Sequence, residues 1–168
     1  MLSYLPLSEN NLEEAITLVK SVFVNDFNNQ DSPEEAFKAS LDRSKHQNFI
    51  YKHNLNILKY FVAVDESKNK IVGVTGWYTR DIDPLGIIWL GWYCVDKEER
   101  GKGVGKEILD WTIHQTKLAG YKIIKLYTST DPNEAIAQEL YEKMGFKIVG
   151  EELKGEEIYK TLYRERIL

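Results

Sequence analysis

Arg100-Gly101-Lys102-Gly103-Val104-Gly105-Lys106 lies between a long apolar run and an amphipathic helical pattern. Glycines at 101, 103 and 105 let backbone N–H groups approach an anion without Cβ atoms in the way, and the free N–H groups of a helix start add partial positive charge. Lys102 and Lys106 are expected to supply mobile positive charge. Two familiar phosphate loops do not fit. A Walker loop needs glycines five positions apart followed by Lys and Ser/Thr, whereas Gly101 lies four before Gly105 and Lys106 precedes Glu107. The Rossmann fingerprint needs G-x-G-x-x-G, and here the third glycine comes one residue early. Read alone, the segment is either an anion-binding turn or a tight strand-to-helix turn solvated by its lysines.

Outward from the loop, the chain alternates strand-like and helix-like segments with no repeat, low-complexity tract or dividing linker. Its 168 residues, 43% hydrophobic and 29% charged, suit one α/β domain over 1–168 with a substantial core. A short strand is expected over 2–7. Leu12, Ala15, Ile16, Val19 and Phe23 then recur at helical spacing, with Asn10 and Glu13 as a capping box. Ser32-Pro33-Glu34-Glu35 opens a second helix. Residues 57–65 and 70–79 read as a hairpin and 87–95 as one long strand. A helix over 103–119, a strand over 122–128, a helix over 132–144 and strands over 146–152 and 157–164 follow. Asp131 to Glu134 offers another capping box, and Gly145 a helix stop.

Charge and cysteine content narrow the function classes. A formal net charge of −4 argues against general nucleic-acid binding, which needs a basic surface. One cysteine, Cys94, rules out an intrachain disulfide, so a cytoplasmic protein is expected. His46, His53 and His114 are too scattered for a local metal pair, and no metal is expected. No apolar stretch reaches membrane-spanning length.

Two separated motifs then coincide. The loop fits [Q/R]-x-x-G-x-[G/A] after a strand ending in Cys94-Val95. Some thirty residues on, Ala137-Gln138-Glu139-Leu140-Tyr141-Glu142-Lys143-Met144-Gly145-Phe146 fits A-x-x-L-Y-x-x-x-G-F. In these features the sequence resembles the GNAT superfamily of N-acetyltransferases, clearly over residues 57–152 and in element order throughout. The resemblance implies a mixed central sheet flanked by helices, with central strands 87–95 and 122–128 splayed to admit the pantetheine arm of acetyl-CoA. It implies an acetyl-CoA-dependent transfer to an amine of a small molecule, protein or peptide, with a catalytically inactive acyl-CoA sensor as the alternative. O-acetylation is left open, and a homodimer is compatible with the family.

Residue by residue, the resemblance implies that backbone at Cys94 and Val95 polarises the thioester carbonyl and that Val95 N–H stabilises the oxyanion. Arg100, Gly101, Lys102, Gly103, Val104, Gly105 and Lys106 would hold the pyrophosphate. Tyr141 matches the general-acid tyrosine. Asn133 is a candidate contact to the pantetheine arm, although it stands eight residues before Tyr141 where seven are expected. The strand 87–95 has no Asp or Glu to act as base, so a water relay is expected. Tyr93 and Asp96 are poor substitutes. Cys94 reads as a buried strand residue, not as a nucleophile. Strand alternation sends Trp89 and Tyr93 to one face and Trp92 to the other. Phe23, Asp26 and Phe27 after the first helix, with Asp81 and Asp83 between the aromatic strands, are the acceptor-side candidates. These carboxylates would draw in a cationic amine.

Overall fold

Polar signals start and stop the helices and apolar alternation sets the strands, and most of the expected elements form. The computed structural model describes residues 1–23, 32–155 and 157–168. In chain order they give β1 (Leu2–Pro6), α1 (Leu12–Val22), α2 (Pro33–Leu41), α3 (Gln47–Lys52), β2 (Leu55–Asp65), β3 (Lys70–Arg80), β4 (Ile87–Leu90) and β5 (Cys94–Val95). After a 3₁₀ turn at Lys97–Glu99 come α4 (Val104–Leu118), β6 (Ile123–Ser129), a second turn at Pro132–Glu134, α5 (Ala135–Lys143), β7 (Lys147–Glu152) and β8 (Thr161–Ile167).

The caps show which local signals were sufficient. Ser32 Oγ accepts the Glu35 N–H at 3.2 Å with Pro33 at the first helical position, as its pattern requires. Gly145, at φ +82°, ends the α5 segment in the left-handed conformation. The Asn10–Glu13 box does not form. The helix starts one residue later, after Asn11, whose Oδ1 instead accepts the Ser8 N–H at 2.8 Å. Glu134 likewise turns away from Asp131 and accepts the Ser129 N–H at 3.0 Å, while Asp131 caps the 3₁₀ turn through Asn133 N–H. The short α3 has no expectation behind it, and β8 lies four residues further along at its start than the sequence suggested.

Eight strands form one sheet in the order β1-β2-β3-β4-β6-β8-β7, with β5 returning to pair β3. All pairs are antiparallel except β4 with β6. One face is covered by α1 and α2, whose Ala15, Val19 and Phe37 are fully buried against β2 and β3. The other is covered by α4 and α5, with Leu109, Ile113, Tyr141 and Phe146 over β3, β4 and β6.

The expected long strand 87–95 is broken, and the break has a simple cause. Leu90 lies opposite Trp77, and Cys94 opposite Val74, so four steps on one strand face three on the other. The extra residue is a β-bulge at Gly91–Trp92, and a one-residue insertion flips the face of every side chain beyond it. Trp92 therefore packs with Phe23 and the α1 side. Trp89, stacked on Tyr78, shares that face, and Tyr93 points to the opposite one, against Tyr141. This reverses the facing that simple alternation assigns.

Two glycines and one tyrosine hold the bulge. The Tyr60 ring on β2 lies across Gly76 and Gly91 on the next two strands: a Cβ on Gly76 would stand 2.3 Å from Tyr60 Cδ1, and one on Gly91 would stand 3.0 Å from its hydroxyl. Burial pushes the Tyr60 phenol well above its ordinary pKa, and a backbone hydrogen bond from Trp92 partly opposes the rise. Gly91 N–H keeps the ladder going with a 2.8 Å bond to Gly76 C=O. Gly76→Ala should therefore cost about 1–3 kcal/mol, because the buried ring cannot move aside without overpacking its neighbours. Urea unfolding measures this, and an unchanged midpoint would contradict the packing described.

Candidate active site

The bulge separates the two central strands. β4 pairs β6 at Ile87, Ile88 and Trp89, opposite Ile123, Ile124 and Lys125, and no further. From there, among the described residues, β6 pairs only β8, through Ser129 opposite Thr161, while β5 pairs only β3. A gap therefore opens between β5 and the second half of β6.

Backbone polarity in this gap follows from the ladder. Asp96 N–H bonds Val72 C=O at 2.9 Å, and in an antiparallel pair hydrogen-bonded and non-bonded pairs alternate. Cys94 thus exchanges its bonds with Val74. Val95, between them, directs its N–H and C=O away from β3 and into the gap. Of the two backbones singled out in the sequence, that of Val95 faces the gap and that of Cys94 faces β3. Strand groups in such a position need partners, and an amide-bearing chain supplies them.

At one end of the gap stands the glycine loop. Gly101 and Gly103 have φ of +74° and +85°, and a Cβ on either would meet nothing within 4 Å. They are needed for backbone conformation. Gly103 is the N-cap of α4 and has no side-chain cap, and the first helical bond runs from Glu107 N–H to Gly103 C=O. The N–H groups of Val104, Gly105 and Lys106 therefore lack intrahelical acceptors and present the positive end of a fifteen-residue helix. Gly105 has a different reason. Its added Cβ would stand 2.9 Å from the Tyr93 hydroxyl, which donates to Gly105 C=O at 2.8 Å. Tyr93 thus ties the bulged strand to the first turn of α4.

The loop lysines are paired and not free as expected. Lys102 Nζ lies 3.1 Å from Glu99 and Lys106 Nζ 2.6 Å from Asp110. Such exposed pairs are weak and can be exchanged for a phosphate. Arg100 is exposed at the start of the loop. Asp96 caps the preceding turn and meets Lys70 at 2.7 Å, and that lysine holds its carboxyl below the usual range, which makes it a poor base.

Tyr141 reaches the other side of the gap from α5. It is buried among Phe146, Met144 and Leu109, with its ring centroid 6.3 Å from that of Tyr93. Burial pushes its phenol well above the ordinary value, Glu134 adds to the rise and Arg164 opposes it. It is therefore a protonated hydroxyl at neutral pH, the form a proton donor requires. Asn133 is exposed on the turn leading into α5, with its N–H on Asp131 at 2.8 Å.

The acceptor-side candidates scatter. Phe23 meets Trp92 edge to face at 5.2 Å beside the bulge. Asp26 and Phe27 lie outside the described residues. Asp81 is exposed on the β3–β4 loop. Asp83 is held by Arg80 through two 2.8 Å bonds and by the Trp89 indole N–H at 2.7 Å, while Arg80 also lies over the Trp89 ring. Its carboxylate is engaged inside the protein. Tyr60 and the polar side of α5 were not singled out in the sequence. Glu134, Gln138 and Glu142 recur every four residues, a spacing that does place them on one helical stripe.

Residues 56–148 match the model of the acetyltransferase (GNAT) domain. The chain is 36% identical over 75 residues to the spermine/spermidine N(1)-acetyltransferase of Bacillus subtilis strain 168, a stretch amounting to 44% of this chain and 48% of that protein. A relative from Bacillus subtilis subsp. natto is 37% identical over the same length. The matched stretch spans about half the length of these curated relatives. Among solved structures, a GNAT-family protein from Desulfovibrio desulfuricans has a TM-score of 0.76 at 14% identity and covers 99% of both chains. A GCN5-related N-acetyltransferase from Kribbella flavida has a TM-score of 0.74 at 15% identity, covering 99% of this chain and 98% of that one. At such identities the likeness speaks for the fold.

Cys94 provides a test of how this strand is buried. Its thiol is pushed up to about 12 by burial, so the reactive thiolate is scarce at neutral pH. Ellman's reagent at pH 8 should label the native protein far more slowly than the unfolded one. Above an ordinary thiol pKa of 9.0 the unfolded chain ionises while the native thiol stays protonated. The Cys94 contribution therefore lowers stability as pH rises from about 9 towards 12. Rapid native labelling would contradict this burial.

Proposed function

The chain belongs to the GNAT acetyltransferase family, and from that membership we propose that it transfers the acetyl group of acetyl-CoA directly to an amine of a small cationic acceptor of the polyamine class. The observation that carries this reading is the position of the Val95 backbone in the gap, with the α4 N-terminus at one side and the Tyr141 hydroxyl at the other. The polyamine class is taken from the name of the Bacillus relative and agrees with the chain's net charge of −4.

The chain's residues fit the donor. The unpaired edge of β5 matches the amides of the pantetheine arm, and the uncapped α4 N-terminus matches its pyrophosphate. Lys102, Lys106 and Arg100 surround that end, and Asn133 is proposed as a further contact to the arm. When bound, the donor supplies an acyl thioester, whose carbon is open to attack by an uncharged amine.

Val95 N–H then faces the carbonyl oxygen and stabilises the negative charge that develops on it. Tyr141 gives its hydroxyl proton to the departing sulfur. No carboxylate stands on the strand 87–95 to take the amine's proton, so water relays it. Phe23 and Trp92 border the acceptor side, with Asp81 as a carboxylate open to solvent. Asp83, engaged by Arg80 and Trp89, has a lesser part in steering.

Two substitutions separate the two halves of the reading. Tyr141→Phe keeps the ring packing and should lower kcat by about 10²- to 10⁴-fold with acetyl-CoA affinity little changed. Gly103→Asp should do the reverse, weakening acetyl-CoA binding more than about tenfold by placing a strained residue and a carboxylate where the phosphate is held. Calorimetry with acetyl-CoA and thiol release with spermidine read the two effects. Full turnover in Tyr141→Phe, with chemistry shown to limit the rate, would exclude the acid role. Unaltered acetyl-CoA binding in Gly103→Asp would exclude the loop as the phosphate site.

A further inference from the structure

Arg164 is the largest of the fully buried side chains, at 1% exposure, and the roles assigned above make no use of it. It stands on β8 opposite Leu126 of β6 and Ile148 of β7. Its Nη2 meets Glu142 Oε1 at 2.9 Å and Gln138 Oε1 at 3.4 Å, both on α5. Among the described residues its buried Nε has no partner. For stability alone this is a poor arrangement, since an apolar side chain of similar volume often serves as well as a buried ion pair or better. An unsatisfied buried N–H adds a further cost.

The surroundings of Arg164 indicate what it does. Glu134, Gln138 and Glu142 grip the sheet at three points along α5 and its leading turn. Glu134 takes the Ser129 N–H, Gln138 donates to Ser129 C=O, and Glu142 takes the guanidinium. Tyr141 sits between the last two. Its hydroxyl is the group that becomes charged if it acts as an acid, and it does so out of water. Arg164 is bonded to Gln138 and to Glu142, the residue next to Tyr141, so its cation and the Glu142 carboxylate flank that position. The Tyr93 ring stands 6.3 Å from the Tyr141 ring, and the Glu134 carboxylate on the leading turn opposes ionisation where Arg164 favours it.

We propose that Arg164 is a positioning residue for acyl transfer: it fixes α5 through Gln138 and Glu142, and it holds positive charge beside Tyr141 while that hydroxyl gives up its proton. The inference rests on the proposed acid role of Tyr141. In the step concerned, the carbon–sulfur bond breaks with its electron pair going to sulfur. The Tyr141 O–H bond breaks, an S–H bond forms, and the tyrosinate left behind is neutralised by the proton released from the new amide nitrogen by way of water. Arg164 neither gains nor loses a proton. It makes the transient anion less unfavourable in a desolvated place.

The test uses the full chain. Arg164→Met should leave the melting temperature and acetyl-CoA affinity close to those of the parent, because the carboxylate it strands, Glu142, is 61% exposed. It should lower kcat about tenfold or more, the equivalent of a pK unit in the acid, and Arg164→Lys should recover part of that. In a Tyr141→Phe background Arg164→Met should cause no further loss. Independently of turnover, 3,5-difluorotyrosine placed at position 141 and titrated by ¹⁹F NMR should ionise at higher pH in Arg164→Met and at lower pH in Glu142→Gln. Should Arg164→Met fail to fold, the exposed Glu142→Gln still gives the sign. Equal loss of kcat in both backgrounds, or fluorine titrations that neither variant moves, would overturn the proposal. A protein that turns over no amine would defeat the acyl-transfer reading and leave the titration to decide whether Arg164 acts on Tyr141.

Discussion

One extra residue at Gly91–Trp92 separates the central strands, and the site depends on that separation. A regular strand over 87–95 could continue its pairing with β6 and satisfy the Val95 N–H and C=O within the sheet. Because pairing stops at Trp89, those groups have no strand partner among the described residues. The insertion also sends Trp92 and Tyr93 to opposite sides. Trp92 packs edge to face with Phe23, while Tyr93 bonds the first turn of α4 and stands near Tyr141. The bulge thereby links the first turn of α4, the strand edge and Tyr141. It is held from the far face by Tyr60, whose ring fits only because positions 76 and 91 have no side chain.

Much of this was legible in the sequence, and the exceptions have physical reasons. The glycine loop, the Ala137–Phe146 signature, the hairpin and the apolar faces of α1 and α4 are local patterns, and local geometry satisfied them. Alternation failed at Trp89 and Tyr93 because the insertion is stabilised across three strands by Tyr60, which no window on 87–95 contains. The Asn10 cap failed because Asn11 bonded Ser8 in preference to the helix. Lys102 and Lys106 read as free charge because Glu99 and Asp110 could be assigned to them only in space or as helix neighbours. Arg164 was invisible for the same reason: an arginine in a strand of alternating charge reads as solvated, and only the docking of α5 buries it.

The polar side of α5 shows stability and placement pulling in different directions. Tyr141 on the helix, with Met144 and Phe146 just after it, packs into the apolar core. The stripe of Glu134, Gln138 and Glu142 adds fixed points at Ser129 and Arg164, beside the gap, where hydrogen bonds specify position more narrowly than apolar contact. Such a device suits the proposed function, in which the helix keeps the Tyr141 hydroxyl in place beside the gap.

The central claim is that the Val95 amide faces the gap and meets acetyl-CoA there. Residue-resolved hydrogen exchange on the ¹⁵N-labelled protein tests it most directly, comparing the amides of Cys94 and Val95 with and without saturating acetyl-CoA. The account predicts that Cys94 is protected in both states by its bond to Val74, whereas Val95 exchanges readily alone and becomes strongly protected when the donor binds. Equal protection of the two amides in the free protein, or a Val95 amide that saturating acetyl-CoA leaves unchanged, would contradict it.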